Sequence, residues 1–262
     1  MPPVEHAHPL VEDDLHGDSH TRSLRFANWE LQSRMRVGSP DTLDVEYTRT
    51  MMGFLLFNAQ PRSIIMIGLG GGSLAKFCHR HLPKAHIDVA ELNPHVIALR
   101  DAFQVPPDSA RFRVVEADGA RFIGTAERRY DVVLLDAFGP EGLPRTLSTQ
   151  RFYDDCLDVL NVGGLLVSNF HTASRDLGDC LQRIERSFAA GALRVEDREA
   201  GNSIVFARKG RRLEATSPVR PRGFDEGAWR QLGGAFARIS TALARRDAPP
   251  PAAAESGRGA VS

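Results

Sequence analysis

Four apolar runs of this chain end in groups that can bind or react. The run Ser63–Ile67 passes into Gly68-Leu69-Gly70-Gly71-Gly72-Ser73, and the next ends at Glu91. A third leads to Asp118-Gly119, and the most apolar, 132–135, stops at Asp136. A glycine turn lets backbone approach a ligand because no Cβ intervenes. Glu91 is an acceptor-only side chain with two oxygens, suited to a pair of ribose hydroxyls, and Asp118 is placed to accept from an adenine exocyclic amine. Strand, glycine turn, helix and carboxylate, in that order, hold an adenosine in doubly wound sheets. The glycines run G-x-G-x-G, with Ser73 where the dinucleotide fingerprint has its third glycine. That spacing points away from NAD and toward an S-adenosyl ligand, whose sulfonium carries the chemistry. Asp136 is the candidate to face that sulfonium and the incoming nucleophile. Each feature also has a plainer reading: a glycine turn alone can be only a turn, and a strand-end carboxylate such as Asp118 can be only a helix cap. The ordered combination favours the nucleotide site.

The elements that must hold these groups follow a βα rhythm. Strands are predicted at 63–67, 86–90, 111–115, 131–135 and 163–169, with helical patterns between them and a helix over 176–188. A closing antiparallel pair follows at 192–197 and 202–208. Asn93-Pro94 supplies a helix N-cap with proline at the first helical position, and 161–164 stops the helix that carries Phe152, Tyr153, Cys156, Leu157 and Leu160. Alternating units of this kind imply an α/β fold. It is a doubly wound, mostly parallel seven-stranded sheet, Rossmann-like and of the S-adenosylmethionine-dependent methyltransferase type. Ahead of it, 23–26, 29–35 and 43–47 alternate as strands between turns and predict a small antiparallel cap. Residues 49–57 are apolar at helical spacing. The expected organisation is a disordered leader over 1–21, a β cap over 22–48, a ligand-binding catalytic domain over 49–246 and a disordered tail over 247–262. The domain closes with one amphipathic helix over 225–245.

Composition narrows the class. The 262 residues carry 33 basic and 33 acidic side chains, a balance that argues against nucleic acid or an anionic membrane as partner. Cys78, Cys156 and Cys180 stand in no metal or redox spacing and read as buried free thiols of a reducing compartment. His79 and His81 are not i, i+4, so no metal site is expected. His6, His8, His16 and His20 read as a solvated leader. No apolar run approaches the roughly 20 residues that span a bilayer, nor does the N-terminus have a signal peptide's apolar core. A soluble, cytoplasmic protein is expected.

From Tyr47 through Asn169 the chain resembles the spermidine synthases, aminopropyltransferases that use decarboxylated S-adenosylmethionine. The matching pieces are Tyr47-Thr48-Arg49-Thr50, Ile67-Gly68-Leu69-Gly70-Gly71-Gly72, Glu91-Leu92-Asn93, Asp118-Gly119, the run Tyr130-Asp131-Val132-Val133-Leu134-Leu135-Asp136, Gly139-Pro140 and Phe152-Tyr153. The resemblance implies nucleotide binding by Gly68, Gly70, Gly71, Gly72, Glu91, Leu92, Asp118 and Gly119, with ribose on Glu91 and adenine on Asp118. It implies catalytic roles for Asp136 and Tyr47. It also implies no permanently bound cofactor, a small-molecule amine acceptor and a homodimer.

The departures concern charge. The family's glycine loop carries an aspartate where this chain has Gly71. After the strand-four aspartate the family has a second one where this chain has Gly139, and ahead of the fold it has an acid where this chain has Arg49. Polyamine recognition rests on carboxylates, each charge-assisted bond being worth roughly 1.5–3 kcal/mol. The losses point to a diverged branch with weaker discrimination against ordinary S-adenosylmethionine. Asp44, Glu46 and Glu141 are candidates to restore negative charge. The expected reaction is aminopropyl transfer to an amine with release of methylthioadenosine. The alternatives are methyl transfer from S-adenosylmethionine and S-adenosyl-nucleotide binding without catalysis. Trp29 and Phe138 are candidates to wall the substrate channel, with core packing as the plainer reading. His171 is a candidate base at a strand end and Arg175 a candidate partner of a substrate carboxylate, each with a surface or capping role as the plainer reading.

Overall fold

The computed structural model describes residues 7–26, 31–138, 142–197, 201–214 and 216–248. The chain opens with three antiparallel strands, β1 (Leu10–His16), β2 (Ser19–Arg25) and β3 (Leu31–Arg36), in the order β1-β2-β3. A short helix α1 (Glu46–Met51) and a 3-10 turn (Met52–Leu56) lead into the main sheet. Its first four strands and their helices are β4 (Ser63–Ile67), α2 (Ser73–His81), β5 (His86–Glu91), α3 (Pro94–Ala98), β6 (Phe112–Glu116), α4 (Gly119–Gly124) and β7 (Tyr130–Leu135). Then come α5 (Gln150–Val159), β8 (Leu160–His171), α6 (Leu177–Ser187), β9 (Ala192–Asp197), β10 (Asn202–Arg208), α7 (Glu226–Arg230) and α8 (Gly233–Asp247).

The seven strands run in the order β6-β5-β4-β7-β8-β10-β9. All neighbours are parallel except β10, which pairs antiparallel with both β8 and β9. This is the α/β architecture expected. All five residues of β4 are buried, as a strand covered on both faces requires, so its apolar run is continuous rather than alternating. Ile64 and Met66 pack with the hairpin residues Leu24 and Met35 and with Phe77 of α2. Ile65 and Ile67 face the opposite layer with Phe152, Tyr153 and Phe170.

Four expectations need correction. The leader is not disordered throughout: Leu10–His16 forms β1 and pairs residue for residue with β2. Its sequence lacks apolar alternation because neither face is buried; it is held by backbone pairing across the Gly17 turn and by the Arg22–Asp13 and Arg25–Glu12 ion pairs. The expected strand at 43–47 instead enters α1, with Leu43 buried. Residues 161–164 do not only stop α5 but belong to β8, where a register shift against β7 absorbs the glycines and Gly163 sits at φ +80°. The single helix over 225–245 is two, broken at 231–232 just before Gly233-Gly234. Trp29 and residues 249–262 lie outside the described residues.

The hairpin is fastened to the main sheet by long side chains. Arg22 donates to the Ala102 carbonyl at 2.7 Å and Gln104 to that of Val37 at 3.1 Å. Lys76 of α2, 3 % exposed, donates from Nζ to the Phe103 carbonyl at 2.7 Å and reaches Met35 Sδ at 3.0 Å. Burial brings its ammonium down to about 7, against the pull of Asp41. The unfolded chain holds that proton to about pH 10.4. Above about pH 7 the unfolded state therefore binds more protons, and folding stability rises with pH through this window. Lys76→Met should flatten the rise when urea unfolding is compared at about pH 7 and about pH 9.5. An unaltered slope would show that Lys76 is not its source.

Candidate active site

The ends of β4 and β7 meet without a side chain between them. Asp136 N donates to the Ile67 carbonyl at 2.9 Å, and Gly68 turns away with φ +97°. A Cβ on Gly68 would lie 2.1 Å from the backbone oxygen of Asp136. Gly70 (φ +51°) and Gly72 (φ +70°) complete the turn into α2, and a Cβ on Gly72 would strike Val105 at 2.5 Å. Gly119 is required for another reason: its Cβ would meet Ile67 Cγ2 at 2.3 Å.

Around this seam lies a cavity of about 1230 Å³. Its wall includes Gly68, Gly70, Gly71, Glu91, Leu92, Asp118, Gly119, Asp136 and Tyr47, so strand ends far apart in sequence come to one place. Gly72 acts behind that wall, as the residue on which α2 begins. Phe138 and His171 also line the cavity, ring to ring at 4.8 Å, whereas Arg175 is exposed.

Two of the strand-end carboxylates already serve the backbone. Glu91 accepts from Leu69 N and Asn93 N, each at 2.8 Å, and so ties the glycine loop to the start of α3. Asp118 Oδ1 accepts from Arg121 N at 2.8 Å and caps α4. The cap reading of Asp118 holds, and the residue still faces the cavity. A carboxylate oxygen has two acceptor positions, so these bonds orient both groups and leave capacity for a ligand.

Asp136 is held differently. Tyr47 donates its hydroxyl to Oδ2 at 3.1 Å and Asn169 its amide to Oδ1 at 2.9 Å. Asn202 in turn donates to Asn169 Oδ1 at 2.9 Å. Asp136 and Tyr47 keep some surface toward the cavity, but their polar groups sit deep in it. Burial raises the Asp136 carboxyl above its ordinary range, and the bonds from Asn169 and Tyr47 and the nearby His171 oppose that rise. Tyr47 is pushed well above the normal phenol value by burial and by Asp136, so it stays a donor. Asn202 went unread in the sequence, where a strand-opening asparagine carries no signal. Ser33, Gln32 and Phe26 of the hairpin region also reach the cavity.

A family model for the spermine/spermidine synthase domain matches residues 44–181. The polyamine aminopropyltransferase of Chromobacterium violaceum is 35 % identical over 206 residues, 78 % of either chain. The chain belongs to the spermine/spermidine synthase family. Among solved structures, a probable spermidine synthase from Corynebacterium glutamicum superposes with TM-score 0.67 at 18 % identity, covering 89 % of this chain and 95 % of that one. A spermidine synthase in complex with the transition-state analogue AdoDATO gives 0.56 at 19 % identity, covering 90 % and 88 %. These two likenesses show the fold.

Within this family the altered charges acquire a physical setting. A Cβ on Gly71 would lie 2.6 Å from Ser33 Oγ and 2.9 Å from Phe103, so the hairpin occupies the space an acid would need. Ser33 Oγ in turn stands 3.3 Å from Ser73 Oγ. Neither nearby acid supplies a replacement. Asp44 is paired with Arg34 and Arg36, and Glu46 with Arg238 at 2.6 Å. Arg49 turns to the Leu43 carbonyl at 2.8 Å. Gly139, Pro140 and Glu141 lie outside the described residues. Gly68→Ala should cost about 1–3 kcal/mol of stability through backbone overpacking and weaken S-adenosyl-nucleoside binding in calorimetry. Normal stability and affinity would mean that the seam tolerates a Cβ.

Proposed function

We infer that this chain is an aminopropyltransferase that takes decarboxylated S-adenosylmethionine as donor and a small-molecule amine as acceptor. The observation that carries the reading is the buried Asp136 carboxylate, held from two sides at the strand end beside the glycine loop. The acceptor nitrogen attacks the methylene carbon next to the sulfonium. A C–N bond forms, the C–S bond breaks with its electron pair passing to sulfur, and methylthioadenosine leaves. The sulfonium is already an activated leaving group, so positioning and desolvation supply most of the acceleration. An amine is a nucleophile only after its ammonium has lost a proton, and Asp136 takes that proton. Its raised value makes it a stronger base than an exposed aspartate.

In the same reading Glu91 binds the ribose and Asp118 the adenine. Gly68, Gly70, Gly71, Gly72 and Gly119 give the backbone room around the nucleoside, and Leu92 adds apolar contact. Tyr47 steadies the base. We place the enzyme in the cytoplasm as a homodimer with no resident cofactor. The three free, buried cysteines accord with a reducing compartment.

One observation favours a second reading, methyl transfer from S-adenosylmethionine. The glycine loop faces the hydroxyls of Ser33 and Ser73 instead of an acid at position 71, which lowers the barrier to a donor that keeps its carboxylate. Products separate the two: methylthioadenosine marks aminopropyl transfer and S-adenosylhomocysteine methyl transfer. Asp136→Asn should reduce turnover by about 10²–10⁴-fold while calorimetric affinity for methylthioadenosine stays nearly unchanged. In the wild type kcat/KM should climb with pH as Asp136 ionises, with its midpoint above the usual aspartate value of about 3.9. Full activity in Asp136→Asn would remove that residue from the mechanism.

A further inference from the structure

We propose that Asn202 is a positioning residue that acts through Asn169 to fix the carboxylate of Asp136 in its reactive orientation. The inference rests on the reading of Asp136 as the base. An asparagine side chain accepts at one end and donates at the other. Asn169 Oδ1 is taken by the Asn202 amide at 2.9 Å, so its Nδ2 is turned to Asp136 Oδ1, also at 2.9 Å. Reversing the Asn169 amide would set oxygen against oxygen at Asp136 and NH₂ against NH₂ at Asn202. Asn169 and Asn202 are 3 % and 5 % exposed, so little of such a mismatch is open to water and most of its cost stands.

The topology explains how a residue so late in the chain reaches this point. β10 runs against the parallel strands, so it begins at the edge where they end. Its first residue, Asn202, pairs with His171 of β8, and Asn169 is its diagonal neighbour on the same face. The chain Asn202–Asn169–Asp136–Tyr47 thus spans β10, β8, the end of β7 and α1. Among the described residues, the titratable groups sharing the cavity with Asp136 are Tyr47 from α1, His171 from β8, Asp176 before α6, and Glu91 and Asp118 at the neighbouring strand ends. Arg145 is a further charged group on the wall. Tyr47 contacts the carboxylate, and His171 favours its ionised form through space.

Three substitutions test the idea. Asn202→Asp keeps the shape but offers only acceptors, so Asn169 turns its NH₂ toward it and presents oxygen to Asp136. Asn202→Leu removes the donor at similar size, and Asn202→Ser keeps a hydroxyl donor. Turnover should fall by about 10–100-fold in the leucine variant, further in the aspartate variant and least in the serine variant, with methylthioadenosine affinity held. The acid limb of kcat/KM should move to higher pH in the first two. A residue that merely fills space would give the opposite order, the isosteric aspartate being mildest, and an unmoved limb. Independently of turnover, the Asp136 carboxyl carbon can be titrated by NMR in substrate-free protein, its signal assigned by loss in Asp136→Asn. An upward shift in Asn202→Leu supports the proposal, and an unchanged titration overturns it. The leucine variant serves alone if the aspartate variant does not fold. If the wild type releases no methylthioadenosine, the proposed reaction fails, and the carboxyl titration still decides whether Asn202 sets Asp136.

Discussion

The site depends on two strands ending against each other with no side chain between them. Because Gly68 has no Cβ, the glycine loop can leave β4 directly beside the backbone of Asp136. The glycine loop and the Asp136 carboxylate therefore share one seam of the sheet, where the strand order passes from β4 to β7. In an open α/β sheet such a switch point is where adjacent loops part and leave a crevice. Glu91 and Asp118 reach that crevice from the ends of the neighbouring strands β5 and β6.

Inside it, the acids do two kinds of work. Glu91 and Asp118 hold loop and helix amides, which fixes their orientation before any ligand arrives. Asp136 takes no such helix-capping role. It is half-buried, its carboxyl raised, and it is contacted by the side chains of Tyr47 and Asn169. Two carboxylates that bind backbone amides and one whose proton affinity is raised follow from this difference in surroundings, although all three sit at strand ends.

The hairpin gives the site its individual character. Ser33 stands where a side chain on Gly71 would have to go, and Ser33 and Ser73 present hydroxyls there. The acids that sequence spacing offered as replacements, Asp44 and Glu46, are engaged by arginines. The neutral glycine loop is thus built in by packing against β3. An acid at position 71 alone would collide with Ser33 and Phe103.

The succession of strands and helices in the main sheet and most of its cavity wall were legible because each parallel strand but the last is an apolar run ended by a glycine or a carboxylate, a pattern local enough to read. The edge strand β1 was not, because pairing without burial leaves no hydrophobic period, and the strand expected at 43–47 overran the first residues of α1. The G-x-G-x-G loop, Glu91, Asp118 and Asp136 are set by sequence alone, since strand-end chemistry follows from where each run stops. Tertiary structure decided what surrounds them. Tyr47 and Asn169 meet on Asp136, Asn202 arrives through an antiparallel strand begun 66 residues later, and Ser33 closes on Gly71. Those contacts join separate elements, and no local spacing encodes which face of one element meets another.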